Sequence, residues 1–126
     1  MFMPGIKIAV YGTLRRSGEL HNYYLKGAKY LGEDWIEGFE LYVDSLPRAI
    51  KGNGRLKVEV FEVDETTFNI INEMETSANY KIITIKTKFG EAYMWFWPWS
   101  SPGIKIKSGD YMDYVRESLR TKTHTV

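Results

Sequence analysis

Residues 55–63 read RLKVEVFEV and residues 64–75 read DETTFNIINEME. In the first segment Leu56, Val58 and Val60 alternate with Lys57 and Glu59, the period of two that belongs to a strand with a buried face. After Asp64 the period changes, because Phe68, Ile71 and Glu75 recur at helical spacing. Asp64 is a suitable N-cap for this helix, since a short carboxylate can accept from an orphan amide of the first turn. A strand that passes directly into an amphipathic helix over 65–75 is therefore expected.

The flanking chain supplies further strands. Ile6, Ile8 and Val10 alternate with Lys7 and Ala9, and Gly12 breaks the pattern just after Tyr11. Ser17 and Glu19 precede Leu20, Tyr23, Tyr24 and Leu25, whose spacing predicts a short helix that Gly27 ends. Over 29–43 a run of apolar residues punctuated by Gly32 and Gly38 predicts short β segments with bends or bulges. Residues 44–54, with Pro47, Gly52 and Asn53, read as a long turn or loop. Residues 80–88 predict a strand, 89–91 a hairpin turn, and 92–97 its return. A last helix over 111–119, opened by Asp110, carries Tyr111, Tyr114, Val115 and Leu119 on one face. Five or six strands, many close enough in sequence to pair as hairpins, and two or three short helices predict a single α+β domain. Its sheet is expected to be mainly antiparallel and barrel-like, over residues 1–120, with a flexible tail at 121–126.

Composition narrows the functional classes. With 126 residues, 44% of them hydrophobic, the chain has enough apolar surface for one core and too few residues for two. Lys+Arg 17 against Asp+Glu 16 leaves a net charge of +1, which argues against a dedicated phosphate-backbone binder. Cysteine is absent, so thiolate nucleophiles, disulfides and cysteine-ligated metals are excluded, and His21 and His124 alone do not suggest a histidine metal centre. Gln is absent too, while Lys and Glu are plentiful, the lean of proteins from hot environments. No stretch reads as an export signal or membrane span, so a cytoplasmic protein without a membrane partner is expected. Nothing in the sequence fixes an oligomeric state.

Two places could carry chemistry. On a helix, Glu75 returns to within about 20° of Phe68, whereas Glu73 points about 140° away from it. Glu75 thus ends an apolar face, where a carboxyl loses hydration and its pKa tends upward toward the range of a general base. The ordinary alternative is that the helix frays near Thr76 and lets Glu75 turn to water. The second place is the turn Tyr11-Gly12-Thr13-Leu14 at the end of the first strand, where backbone N–H groups without strand partners could hold a carboxylate or an oxyanion. It lacks the Gly-Lys-Ser/Thr pattern of a phosphate loop, and an ordinary strand-ending turn is the alternative. Tyr93, Trp95, Phe96, Trp97 and Trp99 raise base stacking as a further possibility, although alternate aromatics more often build a core and a pocket wall.

The order of these motifs resembles the γ-glutamylcyclotransferase-like family, including its γ-glutamylamine cyclotransferase and AIG2-like branches. The resemblance rests on Ala9-Val10-Tyr11-Gly12-Thr13-Leu14-Arg15, Gly38-Phe39-Glu40-Leu41-Tyr42, Leu46-Pro47-Arg48-Ala49-Ile50, Val58-Glu59-Val60-Phe61-Glu62-Val63 and Ile71-Asn72-Glu73-Met74-Glu75, with Tyr80 downstream. His21-Asn22 reverses the order common in relatives, and Thr76 stands where many have Gly or Ser. The resemblance implies that Glu75 is the catalytic acid/base and that Tyr11, Gly12, Thr13 and Leu14 hold a small γ-glutamyl substrate. The implied reaction converts a γ-glutamyl compound to 5-oxoproline and a released amine, with no metal or organic cofactor. The segments 44–54 and 97–103 are candidates for reading the released half. A noncatalytic ligand- or peptide-binding barrel is the chief rival, and single-stranded nucleic-acid binding a distant one.

Overall fold

The computed structural model describes residues 5–100 and 103–124, with the side chains of 5–100 and 103–120. Its strands are β1 (Ile6–Val10), β2 (Lys29–Asp44), β3 (Leu46–Val63), β4 (Lys81–Thr87), β5 (Gly90–Phe96) and β6 (Ile104–Ile106). The helices are α1 (His21–Tyr24), α2 (Glu65–Ser77) and α3 (Tyr111–His124). One sheet runs in the order β4-β5-β1-β3-β2-β6. Its neighbours are antiparallel except β1 and β5, which run parallel with Ile8 opposite Tyr93.

The expected loop at 44–54 is not a loop. β2 and β3 form one long hairpin that turns at Ser45, which takes the left-handed conformation at φ 59, and Pro47 pairs with Val43 inside it. β1 covers β3 only along 59–63, so the part holding Pro47 has an open flank where a residue without an N–H is tolerated. The Glu40 side chain passes over Gly52 and Gly54, where a Cβ would lie 2.8 Å from Glu40 Cδ and 3.0 Å from the Phe39 carbonyl oxygen respectively. The short segments expected over 29–43 are likewise a single strand. Its register shifts at Tyr30/Gly32 and Glu37/Phe39, so the bulges fall at the expected glycines without interrupting pairing.

The sheet curls into a half-barrel. Across a flat sheet β2 and β4 would stand roughly 19 Å apart. Instead the β4–β5 turn reaches β2: Lys88 N donates to Asp34 Oδ2 at 3.0 Å, and Phe89 occupies the space a Cβ at Gly32 would need. The edges β4 and β6 do not pair, so closure is by side chains rather than by a backbone ladder.

Alternation along each strand feeds two cores. Ile8 and Val10 join Leu25, Phe61, Ile71 and Trp95 under α2, while Ala9 and Tyr11 join Leu41, Ala49, Val58, Val60 and Met94 on the concave side. Tyr111, Met112, Tyr114 and Val115 of α3 close that second core. α3 continues past the expected residue 119 to His124. The flexible tail expected at 121–126 lies, for its side chains throughout and for residues 125–126 altogether, outside the described residues. Among the described residues no helix is long and apolar enough to cross a membrane.

Candidate active site

α2 aims Glu75 at the sheet. Its start is fixed by Asp64, whose Oδ1 accepts from Thr67 N at 2.8 Å, and its middle by Ile71, which is fully buried. One turn before Glu75, Asn72 Oδ1 accepts from Trp95 Nε1 at 2.9 Å and ties the helix to β5. The end does not fray. Glu75 O accepts from Ala78 N and Tyr80 N, both at 3.1 Å, and Asn79 makes the left-handed exit at φ 74. Glu75 is consequently half-buried while Glu73 is exposed, in the phase the sequence periodicity predicts.

Opposite α2, β1 delivers Tyr11 to Leu14. The turn's carbonyls are used within the chain: Gly12 O accepts from Arg15 N, Thr13 O from Leu20 N, and Leu14 O lies 3.0 Å from His21 Nδ1. Its amides are not, for the N–H groups of Gly12, Thr13 and Leu14 have no acceptor among the described residues. Gly12 cannot carry a side chain here, because a Cβ would meet Pro47 Cγ at 2.3 Å.

Glu75 and the whole turn line one cavity of about 130 Å³. Leu46, Pro47, Met74, Tyr80 and Trp95 complete much of its largely apolar wall. In these surroundings desolvation pushes the Glu75 carboxyl up to about 7. Burial, and secondarily the Glu75 charge, push the Tyr80 phenol up to about 12, with Arg48 opposing them. Burial raises the Tyr11 phenol as well, so both tyrosines stay protonated near neutrality. Tyr11 is fully engaged, its hydroxyl donating to Trp95 O at 2.9 Å and accepting from Ala49 N at 3.1 Å. Tyr80 donates to Pro47 O at 2.7 Å.

The turn is clamped from behind by buried charge. Arg15 Nε donates to Glu59 Oε2 at 3.0 Å and its Nη1 to Asp110 Oδ1 at 2.7 Å, while Glu59 Oε1 accepts from Arg16 N at 2.8 Å. Burial works against the Arg15 charge, but bonds to Asp110 and Glu59 outweigh it and raise its pKa above the usual value.

All five residues singled out by sequence, Tyr11, Gly12, Thr13, Leu14 and Glu75, thus face one cavity. Leu46 and Pro47 belong to the 44–54 segment that the sequence offers for the released half, but as part of a loop and not as cavity wall beside Glu75, and the clamp is not anticipated. Pro47 is masked by its resemblance to a turn residue, and the clamp joins three segments distant in sequence. Of the aromatic run, Trp95 lines the cavity and Trp97 packs on Tyr80, whereas Tyr93 and Trp99 are substantially exposed. In the 97–103 candidate segment, residues 101–102 lie outside the described residues.

Known proteins share this architecture. The family model for γ-glutamyl cyclotransferase, AIG2-like, matches residues 8–113. A Pyrococcus horikoshii protein with a provisional γ-glutamylcyclotransferase designation is 57% identical over 111 residues, covering 88% of this chain and 94% of the relative. The crystal structure of the Pyrococcus horikoshii protein matches with a TM-score of 0.84 over 96% of this chain and 99% of that one, at 53% identity. The γ-glutamylcyclotransferase family protein YtfP of Escherichia coli is 32% identical over 111 residues, covering 86% of this chain and 97% of the relative. Its solution structure matches with a TM-score of 0.71 over 87% of this chain and 99% of that one, at 31% identity. With a family model spanning both the glycine turn and α2, and relatives matching along most of their length, the chain belongs to the AIG2-like γ-glutamyl cyclotransferase family.

Proposed function

We propose that the protein cyclises a small γ-glutamyl compound to 5-oxoproline, with Glu75 as the acid/base and the turn Tyr11 to Leu14 as the substrate cradle. The observation that carries this reading is a carboxyl pushed up to about 7 sharing a small cavity with a turn whose amides have no acceptor among the described residues. A carboxyl at that value gains and loses a proton near neutrality, which a solvated glutamate does poorly.

Ionised Glu75 takes a proton from the substrate α-ammonium. The freed amine nitrogen attacks the γ-carbonyl carbon, a C–N bond forms, and the carbonyl electron pair moves to oxygen. N–H groups of Gly12, Thr13 and Leu14 hold that oxyanion or the substrate carboxylate. Protonated Glu75 then gives its proton to the departing nitrogen as the oxyanion re-forms the carbonyl and the original amide C–N bond breaks. The surplus proton on the ring nitrogen passes back through Glu75 to the released amine, leaving a neutral 5-oxoproline nitrogen and an ammonium product. Nucleophile and electrophile belong to one molecule, so the protein's part is to fold the substrate into an attacking conformer and shed water. The apolar wall and the rigid clamp behind the turn suit that task. The chain's own acid/base group suffices for the proton movements.

The test is a panel of γ-glutamyl amino acids, γ-glutamyl amines and glutathione, with 5-oxoproline as the readout. Product is expected from the wild type and a loss of about 10²-fold or more in Glu75→Gln, whose amide preserves shape but cannot shuttle a proton. Glu73→Gln is expected to be nearly silent. Saturable binding with no product from any member would favour a noncatalytic ligand-binding role.

A further inference from the structure

One cation beside the cavity has no part in the scheme above. Arg48 lies two residues from Leu46 on β3, so the two project from the same strand face, and Leu46 belongs to the cavity wall. Leu46 is also 44% exposed, which places it at the mouth. Arg48 Cζ lies 4.1 Å from the centroid of Trp97, whose ring packs edge-on against Tyr80 at 5.3 Å. The Arg48 charge opposes the upward shifts of both cavity phenols, and at Tyr80 a hydrogen bond from the guanidinium adds to that effect. Arg48 therefore stands where the cavity opens, on the Tyr80 side.

Its charge is incompletely matched. Arg48 Nη1 pairs with Asp44 Oδ2 at 3.1 Å, but the Asp44 side chain is 63% exposed on the hairpin turn, where water weakens such pairs, while that of Arg48 is only 17% exposed. Arg48 Nε and Trp97 Nε1 are shut off from solvent without an acceptor among the described residues. A largely buried guanidinium with spare donors and a wet partner is suited to a second carboxylate, because its fork matches carboxylate geometry. The same charge disfavours a cationic group at that position.

We propose that Arg48 reads a carboxylate on the half of the substrate that is released, so that the protein selects γ-glutamyl amino acids over γ-glutamyl amines and polyamines. The inference rests on the cyclisation proposed above, which puts the γ-glutamyl half between Glu75 and the turn and directs the other half past Leu46 toward Arg48. Asp44 then acts as a placeholder that the incoming carboxylate joins or displaces.

The test uses a pair differing only in this charge, γ-glutamyl-alanine and γ-glutamyl-alaninamide. Wild type is expected to favour the carboxylate by roughly tenfold in kcat/KM, chiefly through KM. In Arg48→Gln the ratio should fall close to one, Arg48→Lys should retain part of it, and Asp44→Asn, by removing the competing carboxylate, should widen it. A merely structural role for Arg48 would lower both substrates together and leave the ratio intact, which would overturn the proposal. Calorimetric dissociation constants for the same pair on Glu75→Gln protein, with and without Arg48→Gln, read the subsite without turnover. If no 5-oxoproline forms, the cyclisation fails, yet an Arg48-dependent binding ratio still supports the carboxylate subsite. Equal affinity for the two ligands, or a preference for the amide, overturns it.

Discussion

Glu75 couples the chemistry to the stability of the fold. Its pKa rises from 4.5 toward about 7 on folding, so between those values the native state holds a proton that the unfolded chain has released. Stability contributed by the neutral carboxyl is therefore fully present below about pH 4 and declines as pH rises through that window. Above it the native state carries a penalty of about 1–3 kcal/mol. Glu75→Gln should accordingly be more stable than wild type in urea at about pH 8 and nearly equal to it at about pH 4. A difference independent of pH would show that Glu75 is not desolvated. Sequence alone gave the phase of this residue, because Phe68 and Ile71 define the buried stripe, but not its fate at the helix end. That depends on Tyr80 N reaching back to Glu75 O, a bond set by where β4 begins.

At the scale of elements, the clamp on the glycine turn is the most consequential feature. Glu59 and Asp110 are only 4% and 8% exposed, and Arg15 bridges the two. Arg15→Met should cost about 3 kcal/mol, toward the lower end for a broken buried pair because Arg16 and Lys57 stand nearby as secondary cations. A urea midpoint equal to that of wild type would contradict this. β1, α2 and the 55–63 part of β3 were legible from period and capping alone. The 44–54 stretch was not, because Pro47, Gly52 and Gly54 are turn formers by local preference. Here they serve an open strand flank and the passage of Glu40, both tertiary circumstances.

For the whole molecule, the half-barrel depends on a contact between elements that are not neighbours in the sheet. Gly32 has φ 143 and a Cβ there would lie 2.5 Å from Phe89 Cζ, so Gly32→Val should push the β4–β5 turn off β2. It should cost about 2 kcal/mol or more, lowering Tm while leaving kcat/KM of the folded protein close to wild type, since the cavity lies elsewhere. Equal Tm would mean that the curl does not need this contact. The α+β class and mainly antiparallel pairing follow from hairpin spacing, whereas the parallel β1–β5 pair and the side-chain closure join residues too distant for any local pattern to reveal. These long-range pairings bring the turn after β1 and the end of α2 to one cavity, and the acid/base role of Glu75 is the claim that depends on them most. Its most direct test is the pH dependence of kcat/KM for 5-oxoproline release by wild type beside Glu75→Gln. With Glu75 as the base, the rate rises with pH through a midpoint of about 7 in the wild type and falls by about 10²-fold or more in the variant. A rate unchanged by the substitution, with the same pH profile in both proteins, would contradict it.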